Sequence, residues 1–276
     1  MEYLQILFEH ITVDQKEVLV ARLSDIGFDG FEEEENILKA YTSSKKIDEI
    51  LFNKIIEKES IKFTKSIIKE ENWNEFWESN FEPVMVYHPK TNEPFAFIRA
   101  HFHNADSAFL HDISITPKMS FGTGHHATTH LMVAHMSEID FQGKSVIDFG
   151  TGTGVLAILA EKLRAETILG IDNDDWSINN ALENISVNNC KNITLLKAET
   201  ILSETPAQII LANINLNVIK ENIDTIINAA DNNATFLFSG IMLHDENIIT
   251  SVLQIAGLNI LHVNKKDGWL LLHANK

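Results

Sequence analysis

One cysteine, Cys190, stands in 276 residues. A disulfide within the chain needs two thiols and a thiolate zinc site several, so both are excluded. Basic residues are also few: 22 Lys and Arg stand against 39 Asp and Glu, a formal charge of −17. Over most of its area such a surface repels phosphate, which argues against clamping of DNA or RNA. The same field attracts basic partners, basic proteins among them, or it serves solubility alone. No run approaches eighteen apolar residues, so no membrane span is expected. The N-terminal MEYLQILFEH sets Glu2 and Glu9 around a short apolar run. That is the wrong pattern for a secretory signal, and a cytoplasmic location is expected. Internal repeats and low-complexity segments are absent too.

What is present is a core-forming share of apolar residues, 45%, in two different rhythms. Up to residue 70 the pattern reads β-α-β-β-α-β. A strand at 3–10 precedes a helix with Val13, Val18, Leu19, Leu23 and Ile26 on its stripe, stopped by Gly27. Strands FDGFEEEE and NILKAYT follow, then a helix with Ile47, Ile50, Leu51, Ile55 and Ile56 on one face, then the strand IKFTKSII. That order predicts a small α+β ferredoxin-like domain over 1–70. The acidic run Glu32 to Glu35 reads as a solvated face or as a contact for a basic partner. A linker over 71–85 carries a helix at 72–81 with Trp73, Phe76 and Trp77 along one side. Residues 82–112 suggest strands around the turn PKTNEP.

From about 125 onward strands and helices alternate. Helices are expected at 126–139, 153–164, 174–189, 215–229 and 244–256. Strands are expected at 145–149, 167–171, 193–197, 208–212, 234–239, 258–264 and 269–273. The pattern predicts an α/β domain over 86–276 with a doubly wound, mostly parallel seven-stranded sheet whose last strand runs antiparallel.

Two glycine-threonine loops fall within that domain. VIDFGTGTG runs from a buried strand through a glycine loop into an apolar helix, the context of a cofactor loop. Gly150, Gly152 and Gly154 give G-x-G-x-G, however, where a dinucleotide fingerprint needs G-x-G-x-x-G, and no P-loop lysine is present. The next strand ends in GIDND, and Asp172 there could accept hydrogen bonds from two ribose hydroxyls. Such a loop and acid suit a nucleoside that carries no diphosphate, and S-adenosylmethionine fits. Alternatively, Asp172 or Asn173 caps the following helix. His126 and His130 stand at a metal-ligand spacing, but H-A-T-T-H lacks a glutamate and no third ligand stands out. The plainer reading is a helix start with threonine hydroxyls as caps, and Phe121 could lie against a sulfonium. IILANINLN places Asn213 at the carboxyl end of a strand, where its carboxamide could hold an amine, or it could cap the next helix. Glu199 is either an adenine contact or simply exposed.

These stretches together resemble a known family. FGTGHHATT is similar to the F-G-T-G-x-H-x-T-T signature of the methyltransferases that modify the eleventh protein of the large ribosomal subunit. VIDFGTGTGVLAILA, GIDND, LANI and SGIM follow in that family's order over residues 115–273. The linker NWNEFWESNFEPV and the βαββαβ start resemble it as well. Where the family has D-P-G before A-F-G-T-G, this chain has Thr116-Pro117-Lys118 and Met119-Ser120-Phe121. The resemblance implies a class I, Rossmann-like methyltransferase with S-adenosylmethionine contacts at Thr129, Gly150, Asp172 and Asn213. The motifs add Phe121, Gly122, Thr123, Gly124, His126, Gly152, Gly154 and Asn173 to the candidate cofactor site, with Asn213 as the catalytic candidate. It further implies repeated methylation of lysine and N-terminal amines of a basic ribosomal protein held by the N-terminal domain. No metal, no direct nucleic-acid contact and a monomer are expected.

Overall fold

A computed structural model describes residues 2–43, 49–59, 61–69, 81–118, 121–201 and 206–276. The chain divides into two compact units, 1–76 and 77–276, a boundary that falls inside the stretch read as a linker. The helix expected over 72–81 lies, but for Phe81, outside the described residues.

The first unit holds β1 (Glu2–Glu9), α1 (Val13–Asp25), β2 (Gly30–Glu34), β3 (Ile37–Ser43), α2 (Glu49–Glu59) and β4 (Phe63–Lys69). Its sheet runs β2-β3-β1-β4 with every pairing antiparallel, the ferredoxin-like arrangement. A capping box starts α1: the Thr12 hydroxyl accepts from Gln15 N–H, and the Gln15 side chain accepts from Thr12 N–H. The helix faces differ from the stripes read off the sequence. Leu19 and Leu23 are buried, whereas Val13 is 65% exposed. On α2 the core is met by Phe52 and Ile56, one turn apart, whereas Ile50 and Leu51 face out. Val20 on α1, Ile26 at its C-cap and Ile55 on α2 pack beside these pairs, partly buried.

The second unit begins with a three-stranded sheet of β5 (Val84–Tyr87), β6 (Pro94–Ala100) and β7 (His111–Ile115). β5 and β6 form a hairpin, and β6 and β7 run parallel. Strand β5 starts two residues before the domain start expected at 86. Then come α3 (Ala127–Met136), β8 (Ser145–Phe149), α4 (Val155–Lys162), β9 (Thr167–Asp172), α5 (Asp175–Val187) and β10 (Ile193–Lys197). β11 (Ala207–Asn213), α6 (Leu216–Asn228), β12 (Ala230–Met242), α7 (Glu246–Ile255), β13 (Asn259–Lys266) and β14 (Trp269–Asn275) complete it. The large sheet is ordered β10-β9-β8-β11-β12-β14-β13. As expected, β14 runs antiparallel, inserted between β12 and β13. β12 outruns its expected bounds because its end pairs with β14 as far as Met242 opposite Trp269. Strand order reverses between β8 and β11, so the loops leaving those strands diverge and open a crevice at their carboxyl ends. Among the described residues no helix is long and apolar enough to cross a membrane.

Helix α3 packs on β12, β13 and β14 through a fully enclosed His135, whose Nε2 lies 2.9 Å from His273 Nδ1. Burial and the neighbouring His135 and His262 push His273 down to about 4, and burial lowers His135 as well. The unfolded chain therefore binds more protons than the folded one between about pH 4 and 6.5, and stability falls as pH falls through that window. After screening, the loss from pH 7 to pH 5 is on the order of 1 kcal/mol for this pair. Urea unfolding at the two pH values measures it. A slope unchanged by His273→Asn would refute the assignment.

Candidate active site

The crevice floor is the turn between β8 and α4. Gly150, Gly152 and Gly154 have φ of 79°, 54° and 78°, in the left-handed region that side chains avoid. Space forbids side chains too: a Cβ on Gly150 would strike the Ile214 side chain, and one on Gly152 the Phe121 carbonyl. Beneath the turn lies Asp148, fully enclosed, whose carboxylate accepts from Thr151 Oγ1 at 2.7 Å. Gly154, the cap of α4, has no side chain to offer the helix. Burial raises the Asp148 carboxyl to about 7, the Thr151 and Ala157 donors pull it down, and Asp172 pushes it up. No motif in the sequence singles out this acid.

Asp172 closes β9, where one carboxylate oxygen accepts from Gly152 N–H at 2.9 Å and the other from Asp174 N–H at 3.1 Å. The acid thus supports the glycine turn, and each oxygen keeps a lone pair for a ligand. Capping of α5 falls to neither Asp172 nor Asn173. Asp174 does it, accepting from Ser177 N–H at 3.0 Å.

The second glycine-threonine loop is stitched to the first. Thr153 donates its N–H to the Phe121 carbonyl at 3.1 Å and its hydroxyl to the Gly122 carbonyl at 2.8 Å. Gly124 is packed against Ile98 and Val84. His126 caps α3, its Nδ1 accepting from Thr128 N–H at 3.4 Å, so the imidazole takes the role expected of the threonine hydroxyls. Its ring stands between Phe121 and Trp269, with centroids 5.1 and 4.7 Å away. His130 lines a different cavity with His88 and Lys266. Among the described residues no group of three His, Cys, Asp or Glu could hold a metal.

Asn213 ends β11 and is 7% exposed. Its Nδ2 donates to the buried Thr129 hydroxyl at 3.2 Å, which orients the carboxamide. Its Oδ1 is enclosed and has no partner. An enclosed carbonyl oxygen without a donor is costly. The capping role belongs to Asn215, which accepts from Val218 N–H at 3.1 Å.

These groups enclose a cavity of about 530 Å³, within the range of small-molecule sites. Of the residues singled out in the sequence, Phe121, His126, Gly150, Gly152, Asp172, Asn173, Glu199 and Asn213 line it. Gly122, Thr123, Gly124, Thr129 and Gly154 do not: Gly122 is tied to Thr153, Thr129 stands behind Asn213, and Gly154 packs on Ala181. The structure adds Ile214, Gly240 and Trp269 to the wall. Gly240, at φ 83°, allows the Ile214 backbone to approach, a role that a lone strand-end glycine hints at. Nothing local marks Trp269, whose place depends on the insertion of β14. The cavity size, the glycine cradle, the acid at the end of β9 and the orphaned Asn213 oxygen together fit an adenosyl amino acid beside an amine.

The family model described as "Ribosomal protein L11 methyltransferase (PrmA)" matches residues 9–276. A ribosomal protein L11 methyltransferase of Porphyromonas gingivalis is 35% identical over 93% of this chain and 89% of its own length. Another, from Chlorobaculum tepidum, is 36% identical over 97% of this chain and 94% of its own. Among solved structures, a ribosomal protein L11 methylase from Lactobacillus delbrueckii subsp. bulgaricus superposes with a TM-score of 0.63 at 25% identity, covering 69% of this chain and 97% of that one.

Proposed function

The chain belongs to the ribosomal protein L11 methyltransferase family, and from that premise we propose that it methylates lysine side-chain and N-terminal amines of ribosomal protein L11 with S-adenosylmethionine. The observation that carries this reading is the enclosed, unpartnered Oδ1 of Asn213 at the cavity wall. A carboxamide oxygen accepts an amine N–H without adding charge. A carboxylate there would hold the ammonium form and keep the lone pair protonated. Thr129, by accepting from Nδ2, holds the Asn213 carboxamide from behind the wall.

Bound S-adenosylmethionine supplies a methyl group on a positively charged sulfur, already a good leaving group. What remains for the chain is positioning. Asp172 and the Gly150–Gly152 turn hold the nucleoside, Phe121 offers an aromatic face to the sulfonium, and Asn213 directs the amine lone pair. His126 Nδ1 is committed to Thr128, so it is no base at that atom. The acceptor enters neutral. A free lysine, at about 10.4, reaches that state less readily than an α-amine, at about 8. The acidic chain suits a basic protein substrate, and the ferredoxin-like unit is the part proposed to hold it. The reading carries with it a cytoplasmic monomer without direct nucleic-acid contact.

Gly150→Ala tests the floor. The new methyl group meets Ile214, itself part of the wall. Affinity for S-adenosylhomocysteine should fall by at least about tenfold in calorimetry. Unchanged affinity would remove the turn from the site. Transfer of radiolabelled methyl groups to a panel of purified basic proteins tests the function itself. Label is expected on L11, and label confined to another protein would replace the acceptor while leaving the cofactor in place.

A further inference from the structure

Asn180, Asn184 and Asn188 recur every fourth residue along one face of α5 and its cap, and the first two are fully enclosed. Asn188 treats β7 as a neighbouring strand would, accepting from Ser114 N–H at 3.0 Å and donating to the Ser114 carbonyl at 2.6 Å. Asn184 does something different. Its Oδ1 accepts from Thr116 N–H at 2.7 Å, while its Nδ2 donates to the Thr153 carbonyl at 2.8 Å and to Asn180 Oδ1 at 2.7 Å. Both amide protons are used, so the carboxamide has one workable orientation.

Thr153 is the hub on the other side. Its N–H and hydroxyl hold the Phe121 and Gly122 carbonyls, and its own carbonyl is the one Asn184 holds. Thr116 is therefore tied to Asn184 directly, and Phe121 and Gly122 are tied to it through Thr153. Lys118 adds a surface tie to the same helix, paired with Glu183 at 2.6 Å and lying 5.6 Å from the Trp176 ring centroid. Asn184 is outside the cavity lining, yet Phe121 on one wall and Gly152 on the floor meet through the residue it anchors.

We propose that Asn184 is a positioning residue for the transfer site, joining the Phe121 wall of the cavity to its glycine floor through Thr153. This rests on the cavity being the S-adenosylmethionine site. Asn184 and Asn188 both tie α5 to the β7 segment, Asn188 at Ser114 through two bonds and Asn184 at Thr116, just past the strand's end, through one. Joining the two loops makes them different.

The test compares S-adenosylhomocysteine affinity by calorimetry in the full-length protein, with melting temperatures recorded alongside. Asn184→Ala should weaken binding by about tenfold. Asn188→Ala, which breaks three bonds on the same helix face but none to Thr153, should stay within about twofold of wild type even where its melting temperature drops as far. Thr153→Val, near-isosteric and lacking only the hydroxyl bond to Gly122, should follow Asn184→Ala, and it carries the test if that variant does not fold. Wild-type affinity in Asn184→Ala or Thr153→Val would overturn the proposal, and so would an equal loss in Asn188→Ala. Wild-type protein that binds no S-adenosylhomocysteine would overturn the functional reading and this inference together.

Discussion

Asn213→Ala should lower turnover on L11 by about 10²-fold or more while S-adenosylhomocysteine affinity falls by about tenfold at most. The asymmetry follows from what the side chain does. The glycine turn and Asp172 remain to hold the nucleoside, but the oxygen that orients the incoming amine is gone. Thr129 loses its partner as well, so a modest stability loss, about 1 kcal/mol, accompanies the change. Asn213→Asp separates orientation from charge. The shape is kept, but a carboxylate beside the acceptor favours ammonium, so the pH–rate profile should move to higher pH. Equal losses of turnover and cofactor affinity in Asn213→Ala would make Asn213 a cofactor ligand only.

Removal of residues 1–70 should spare cofactor binding and abolish methylation of L11, a loss of at least about 10²-fold in kcat/KM. Every residue lining the cavity lies between Phe121 and Trp269, and the second unit has its own apolar clusters on the large sheet. The first unit has a separate core built on Ile6, Phe8, Leu38 and Phe52. Its edge strand β2 exposes Glu32, Glu33 and Glu34, with Lys39 of β3 paired to two of them. Isothermal titration with S-adenosylhomocysteine and a methylation assay on the same truncated protein measure both halves. Normal turnover without residues 1–70 would end the assignment of substrate holding to the ferredoxin-like unit.

Much of this architecture is legible in the sequence because its signals are local. Strand and helix periods give the βαββαβ order and the alternation after residue 125, and the lone strand pair at the end gives the antiparallel β14. The glycine turn, Asp172 and Asn213 are legible for the same reason: each stands at a strand end beside its own motif. What the sequence does not reveal depends on contacts between distant segments. Trp269 reaches the cavity only because β14 inserts between β12 and β13. Thr129, a cofactor contact by the family resemblance, also accepts from Asn213, 84 positions away, a tie that no local signal shows. His126 and His130 look like a pair, but the helix start turns one towards the site and the other towards a separate cavity. Asp148 is hidden in plain view within VIDFG, since only burial shows that it meets Thr151 of the glycine turn and not solvent.

The most direct measurement is the intact mass of purified, unmethylated L11 after incubation with the protein and S-adenosylmethionine. The account predicts gains in steps of one methylene, mapping to lysine side chains and the N-terminal amine. An unchanged L11 mass, with S-adenosylhomocysteine binding confirmed by calorimetry, would contradict the acceptor and leave the cofactor site standing.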